Sequence, residues 1–315
     1  MLSKLLDISI LQGTIRMATP IMLAAMGAMV TGLSGIINIG LEGMMLLGAF
    51  FAVVGSFYFG SVWAGVASAL LSGLIVSLLF AVFTMKFRAH IILIGITINA
   101  FALAITVYLL RDWFNVAGAF SDTNIVGFNT INIPVIENIP ILGTILSGYT
   151  PIVYIAWVII IFMHILLYKT PLGRHLRAVG ENSEASETLG INVNGIKYFA
   201  VILSGIFSSL AGAYLSLGQL TMFTENMSAN RGFLGIAANI FGMGTPMGGA
   251  VASLLFGFAD SLAMRLQGFE AIPSQLILMI PSALPIIILL IFSIRKKIEL
   301  KNFKEDNISK LLSGR

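Results

Sequence analysis

The residues able to do chemistry in this chain are few, and most stand alone in apolar surroundings. Asn38 and Glu42 lie four apart, on one face of a helix, inside a Gly-rich run. Asn99 ends the string Ile96-Thr97-Ile98-Asn99, Asn239 falls in a short apolar stretch, and Asp260 in the apolar segment after it. Glu225, with Asn226 and Arg231, borders that short stretch. Amides and carboxylates at membrane depth need a partner or a wet cavity. Two roles are therefore open to them: lining a pathway for a polar solute, or satisfying backbone groups where helices break. For Glu42 the structural roles are a contact with a second subunit or the capping of a half-helix. Asn99 could equally be a hydrogen bond between helices, and Asp260 could sit at a helix end beside Arg265. Catalysis finds no support. His90, His164 and His175 are scattered, no His-Glu-x-x-His string occurs, and nothing pairs a His with a Ser or Asp nucleophile. The absence of cysteine removes disulfides, thiolate metal sites and Cys nucleophiles together.

The elements that must carry these residues follow from composition. Of 315 residues, 57% are apolar and only 10% charged, with a mean hydropathy of +0.97; soluble domains average about 25% charged. No Asp, Glu, Lys or Arg occurs between Glu42 and Lys86, Lys197 and Glu225, Arg231 and Asp260, or Glu270 and Arg295. Each stretch exceeds the roughly 20 residues that cross a bilayer as helix. The fold class is all-α, a polytopic membrane protein. Hydropathy predicts eight spans, at 17–34, 38–59, 61–85, 90–110, 151–168, 198–218, 249–266 and 272–294, plus a half-helix or re-entrant piece at 232–245. Residues 1–16 read as an interfacial amphipathic segment without the form of a cleavable signal.

Charge orients these spans. Lys86 and Arg88, then Lys169, Arg174, Arg177 and Lys197, then the basic tail 295–315 belong on the cytoplasmic side. The 111–150 loop, with Asp112, Asp122 and Glu137 against Arg111, belongs outside. The C-terminus is then cytoplasmic and the N-terminus outside. A net charge of +4 could suggest nucleic acid, but the cations are dispersed in short clusters between apolar runs, so no nucleic-acid partner is expected. Gly32 to Gly40 also resembles Gly232 to Gly242, which suggests an inverted repeat with broken helices near the midplane.

The most polar internal segment is 169–197. Pro171 and Gly173 end the preceding span, Asn182 or Ser183 can cap a short helix, and Glu184 and Glu187 suit its positive end. Gly190 then stops it. A two-turn helix projecting into the cytoplasm is either an ordinary capped surface element or a docking helix for a partner.

Several of these strings carry a resemblance. The run Gly35-Ile-Ile-Asn38-Ile-Gly40-Leu-Glu42-Gly43-Met-Met-Leu-Leu-Gly48 resembles the signature of ABC-importer permeases of the branched-chain amino acid and simple-sugar group. Leu172-Gly173-Arg174, Ala178-Val-Gly180-Glu181-Asn182, Glu184-Ala185 and Leu189-Gly190-Ile191 are similar to that group's ATPase-coupling loop. Gly205 to Gln219, Met222 to Ser228, Arg231-Gly232-Phe233 and Leu255 to Asp260 are most similar to its nucleoside branch. Where many members carry Glu-Arg before the first glycine of the signature, this chain has Gly32-Leu33-Ser34.

The resemblance implies a single permease domain, not an enzyme, in a bacterial cell membrane. It implies as partners a homologous second permease, a cytoplasmic ABC ATPase, an extracytoplasmic substrate-binding lipoprotein and a nucleoside, with ribose-like sugars as the alternative cargo. Gly180, Glu181, Asn182, Glu184, Ala185 and Gly190 would couple to the ATPase. Asn38, Glu42, Asn99, Glu225, Asn239 and Asp260 are the pathway candidates, and a nucleoside, rich in hydroxyls and uncharged, suits amides better than a basic cluster. No Gly-Lys-Ser or Gly-Lys-Thr occurs, so this chain lacks a P-loop, and no cofactor or metal is expected on it; ATP would sit on the partner. The competing transport reading is an ion-coupled carrier in which Glu42 and Asp260 bind cations or protons.

Overall fold

Three helices at the centre of the bundle touch backbone to backbone, because glycine and serine stand where they meet. They are α2 (Leu41–Phe59), α3 (Val62–Ala81) and α8 (Val193–Ala213). A Cβ placed on Gly48 would come to 2.5 Å from the Ser209 backbone, one on Gly205 to 2.6 Å from the carbonyl of Gly73, and one on Gly65 to 2.5 Å from the carbonyl of Ala52. Lipid supplies no hydrophobic force between helices, so dispersion at this close range is what holds them. α3 and α8 each end in a π-helical turn, Val82–Lys86 and Tyr214–Leu220.

The computed structural model describes residues 9–132 and 147–267, and beyond them only Met279, Ala283 and Leu290. Among the described residues, the remaining helices are α1 (Ser9–Leu33), α4 (Ile91–Phe114), α5 (Pro151–Lys169), α6 (Pro171–Glu181), α7 (Ser183–Thr188), α9 (Arg231–Phe241) and α10 (Pro246–Leu266). Seven helices are long and apolar enough to cross a membrane, and α9 is the short one between them. All seven coincide with expected spans, and the eighth expected span, 272–294, lies outside the described residues, as does the tail 295–315. The compact unit that contains the pathway candidates runs to Ser261.

Three local differences from the sequence expectation have simple causes. The first helix is already formed at Ser9, so residues 9–16 are continuous with the helix of the expected span 17–34. Ile10 and Thr14 are buried, with the Ser261 hydroxyl donating to the carbonyl of Ile10 at 3.4 Å. Segment 169–197 holds two helices, not one: Pro171 starts α6 at its first position, where a missing N–H costs nothing, and Thr170 caps it by accepting from Gly173 N at 3.3 Å. The two Gly-rich copies also differ in form. Residues 34–40 are unwound and lead into α2, whereas 232–241 are helical.

The chain folds so that basic and acidic loops separate. Lys86, Arg88, Lys169, Arg174, Arg177 and Lys197 sit at one end of the bundle. At the other end, Tyr214 and Gln219 donate to the carbonyl of Arg16 at 3.1 and 3.0 Å. The Arg16 guanidinium there lies 5.9 Å from the ring centre of Tyr149. Burial lifts the Tyr149 phenol to about 12, against the lowering pull of Arg16, so it remains a neutral donor. A two-residue antiparallel pair, β1 (Ala119–Phe120) with β2 (Phe223–Thr224), closes this end.

Candidate functional site

Two helices begin inside the bundle, and each has its N-terminus capped by a side chain from elsewhere. The first four N–H groups of any helix lack intrahelical partners, and at membrane depth water cannot supply them. α2 starts at Leu41 after the unwound 34–40 segment. Its Gly40 N-cap offers no side chain, and the Oδ1 of Asn99 on α4 accepts from Gly43 N at 2.7 Å in its place. The Nδ2 of Asn99 donates to the carbonyl of Ile39 at 3.0 Å, so one amide closes both sides of the break. Asn38 completes the turn. Its Oδ1 accepts from Gly40 N at 2.9 Å, and its Nδ2 donates to the Ser204 hydroxyl at 3.0 Å and faces the Met44 sulfur at 3.7 Å.

Glu42, one residue into α2, caps α9 in turn. Its Oε1 accepts from Asn230 N at 2.8 Å and its Oε2 from Gly232 N at 2.7 Å. Glu42 is 8% exposed, and its negative charge meets the positive end of the α9 dipole. The contact requires glycine at 232, since a Cβ there would come to 2.6 Å from the Glu42 backbone. The polar groups therefore form a relay from α4 through α2 to α9.

Beside this cap, Arg231 and Asp260 form an ion pair at 3.7 Å between Nε and Oδ2, with side chains 14% and 13% exposed. Asp260 thus has Arg231 as a counter-ion, a residue 29 positions earlier in the chain. Arg231 Nη1 also donates to the carbonyls of Met227 and Ser228, at 3.4 and 3.5 Å. Sequence reasoning missed the pair, although a signal was there. Arg231 is the sole cation between Lys197 and Arg265, and a charge at such depth calls for a counter-ion. Glu225 stands apart from this group. Its carboxylate accepts from Gly118 N at 3.0 Å and lies 3.9 Å from Arg111 at the exposed end of the bundle.

Asn239, near the other end of α9, has an Oδ1 that is buried with no hydrogen-bond partner among the described residues, and the Ser228 hydroxyl just ahead of α9 is in the same state. α9 itself is held between two unusual turns. Asn226, Ala229 and Asn230 before it and Met243 and Gly244 after it all have positive φ, a region that non-glycine residues occupy at a cost of about 1–3 kcal/mol each.

The loop residues Gly180, Glu181, Asn182, Glu184, Ala185 and Gly190 divide into two groups. Gly180 faces inward: a Cβ there would run into the carbonyl of Leu33 and crowd the N of Gly35, where α1 ends and the unwound segment begins. Asn182 caps α7, its Oδ1 accepting from Ala185 N at 2.9 Å, and Gly190 closes α7 with a φ of +80°. Glu181, Glu184, Ala185 and Gly190 are exposed, as is Leu189, 81% accessible at the tip. Among the described residues no group of His, Cys, Asp and Glu is placed to hold a metal ion.

A bundle of apolar spans with a buried polar relay, a short inner helix and a polar two-helix projection is the architecture of a multi-pass membrane protein. A family model described as branched-chain amino acid transport system, permease component, matches residues 10–291, and the chain belongs to that family. It is 36% identical over 285 residues to the nucleoside ABC transporter permease protein NupC of Lactococcus lactis subsp. cremoris, covering 87% of this chain and 89% of that one. It is 35% identical over 292 residues to the guanosine ABC transporter permease protein NupQ of Bacillus subtilis, covering 89% and 90%. Among solved structures, a chain of PsaBC from Streptococcus pneumoniae in complex with Fab shares the fold, at a TM-score of 0.53 and 14% identity over 91% of this chain and 95% of that one.

Proposed function

We propose that this chain is one permease subunit of an ATP-driven importer of nucleosides, pairing with a homologous permease, a cytoplasmic ATPase and an extracytoplasmic binding lipoprotein. The observation that carries the reading is the likeness, along nearly the whole chain, to permeases named for nucleoside and guanosine transport. The site's chemistry agrees with an uncharged cargo. Glu42 is satisfied by backbone N–H groups and Asp260 by Arg231, while the Asn239 amide oxygen and Ser228 hydroxyl have no hydrogen-bond partner among the described residues. Groups of that kind suit sugar hydroxyls and base edges and give an anion no counter-charge.

The coupling route follows the contacts. An ATPase gripping the exposed face of α7, around Glu184, Ala185 and Leu189, moves α6 with it. α6 presses through Gly180 on the end of α1 and on Gly35, and the unwound segment leads from there to Asn38, Glu42 and α9. α9, set between strained turns, is the element that opens and closes the pathway.

The test is uptake into proteoliposomes holding the four-component assembly. Guanosine accumulation should require ATP on the ATPase side and survive collapse of ion gradients. Ribose competing as well as guanosine would move the cargo to simple sugars. Accumulation by the isolated chain, driven by a gradient without ATPase, would overturn the reading.

A further inference from the structure

At the basic end of the bundle, a cleft of about 480 Å³ opens between the unwound segment at Gly35 and Ile37, the π-helical turn at Thr84, and the start of α4 at His90 and Ile91. A second recess of about 240 Å³ shares Gly35, Thr84 and Ile91 with it and reaches Asn194 and Lys197 at the foot of α8. The two adjoin through these shared residues, and the charged lining of this basin is of a single sign: Arg88 with His90 in the larger recess, Lys197 in the smaller, and no carboxylate in either. Among the described residues the ion pairs are Arg111–Glu225 and Arg231–Asp260, so neither basin cation has an anionic partner. The chain holds Arg88 there by a tight reversal: Phe87 N and Ala89 N bond back to Val82 and Phe83 carbonyls at 3.1 and 3.0 Å, and Arg88 takes a φ of +53°.

One wall of the basin is apolar and continues onto an exposed apolar stretch of α4. Ile92 lines the cleft, and Leu93 and Ile96 follow it as exposed residues along α4; Phe83 and Phe87, the chain neighbours of Thr84 and Arg88, are exposed too, their ring centres 5.7 Å apart. Two cations without an anionic partner among the described residues, next to exposed aromatic and aliphatic side chains, are complementary to an amphiphile with a negative head and acyl tails. Free phosphate would use the cations but leave the strip uncovered. Basic pockets between spans are a recurring means of holding such headgroups.

We propose that this basin is a binding site for an anionic phospholipid. Its phosphate lies between Arg88 and Lys197, and its acyl chains run along Phe87, Leu93 and Ile96. The basin borders the unwound segment at Gly35 to Ile37, and its lining does not depend on which solute is carried.

The experiment uses the full chain, purified in neutral detergent and stripped of lipid. Binding of phosphatidylglycerol and of phosphatidylcholine with identical acyl chains is followed by native mass spectrometry, for wild type, Arg88→Gln/Lys197→Gln and Arg174→Gln, which changes an exposed cation of α6 outside the basin. At about 1 kcal/mol per juxtamembrane cation, the double variant should bind phosphatidylglycerol about 30-fold more weakly. Phosphatidylcholine binding should not change, and Arg174→Gln should behave as wild type. Matching thermal melting curves establish that the double variant is folded, and Arg88→Lys should retain binding if charge is the determinant. Equal affinity for the two lipids, an unaffected double variant, or displacement of phosphatidylglycerol by excess inorganic phosphate would each overturn the proposal.

Discussion

Replacing Glu42 by Gln changes almost no volume and tests what the carboxylate does. In the native protein both oxygens accept backbone N–H groups at the start of α9, at 2.8 and 2.7 Å. A glutamine offers one accepting oxygen and turns an NH₂ toward the other N–H, so one charge-assisted bond is lost and a buried donor is orphaned. Hydrogen bonds to charged groups contribute about 1.5–3 kcal/mol, and loss of the charge at a helix N-terminus adds about 0.3–1 kcal/mol. The docking of α9 should weaken by about 2–4 kcal/mol. At 1.4 kcal/mol per tenfold, local opening becomes about 30- to 700-fold more frequent. Amide hydrogen exchange reads this directly, since exchange from a locally opening segment tracks its own free energy. The amides of 230–241 should exchange faster by that factor, with those of α2 and α8 close to native rates. If uptake were lost while exchange in 230–241 stayed native, Glu42 would act on the solute or an ion, and the capping argument would be wrong.

Other perturbations follow from the same geometry. Asn99→Leu removes both bonds across the 39–43 break and leaves a buried N–H and C=O unmet. It should cost about 2–5 kcal/mol, visible as a lowered melting temperature in detergent. Arg231→Met and Asp260→Leu should each destabilise by about 3–5 kcal/mol by stranding a buried charge, and the double variant should recover most of the loss in a thermal double-mutant cycle. Leu189→Asp, at an 81% exposed position, should leave melting unchanged but separate ATP hydrolysis from uptake in the assembled transporter. Gly232→Ala should displace α9 from α2, because its Cβ meets the Glu42 backbone, and accelerate exchange in the same segment as Glu42→Gln.

Much of this architecture is legible without coordinates because the bilayer imposes one dominant rule. Uncharged stretches locate the spans, and the interruption at 232–241 marks the short helix. Punctuation residues worked equally well: Asn182 and Gly190 stand at the two ends of α7, where capping chemistry puts them. Pro171 was misleading, because a proline that ends one helix can begin the next, and only the chain's direction after Lys169 decides which. Partners distant in sequence were not legible. Asn38 with Ser204, Asn99 with Gly43 and Arg231 with Asp260 arise from which helices become neighbours, and no periodicity encodes that. Gly180 belongs to the same class: in sequence it is part of a polar loop, yet it packs on the end of α1.

The bare seam where α2, α3 and α8 meet limits how this protein can move. Side chains between helices act as deformable gaskets, and neighbours packed through them can slide or roll by small steps. Here the carbonyl of Gly73 and the backbone of Ser209 occupy the places where a Cβ on Gly205 or Gly48 would fall. Shifting the register by one residue would drive a larger side chain into that space. The trio must behave as a keel, carried whole through any cycle. Motion is left to the pieces hung on it, which gives an engineer a practical rule: cross-links within the keel should be silent, and those that pin α9 to it should stop the machine.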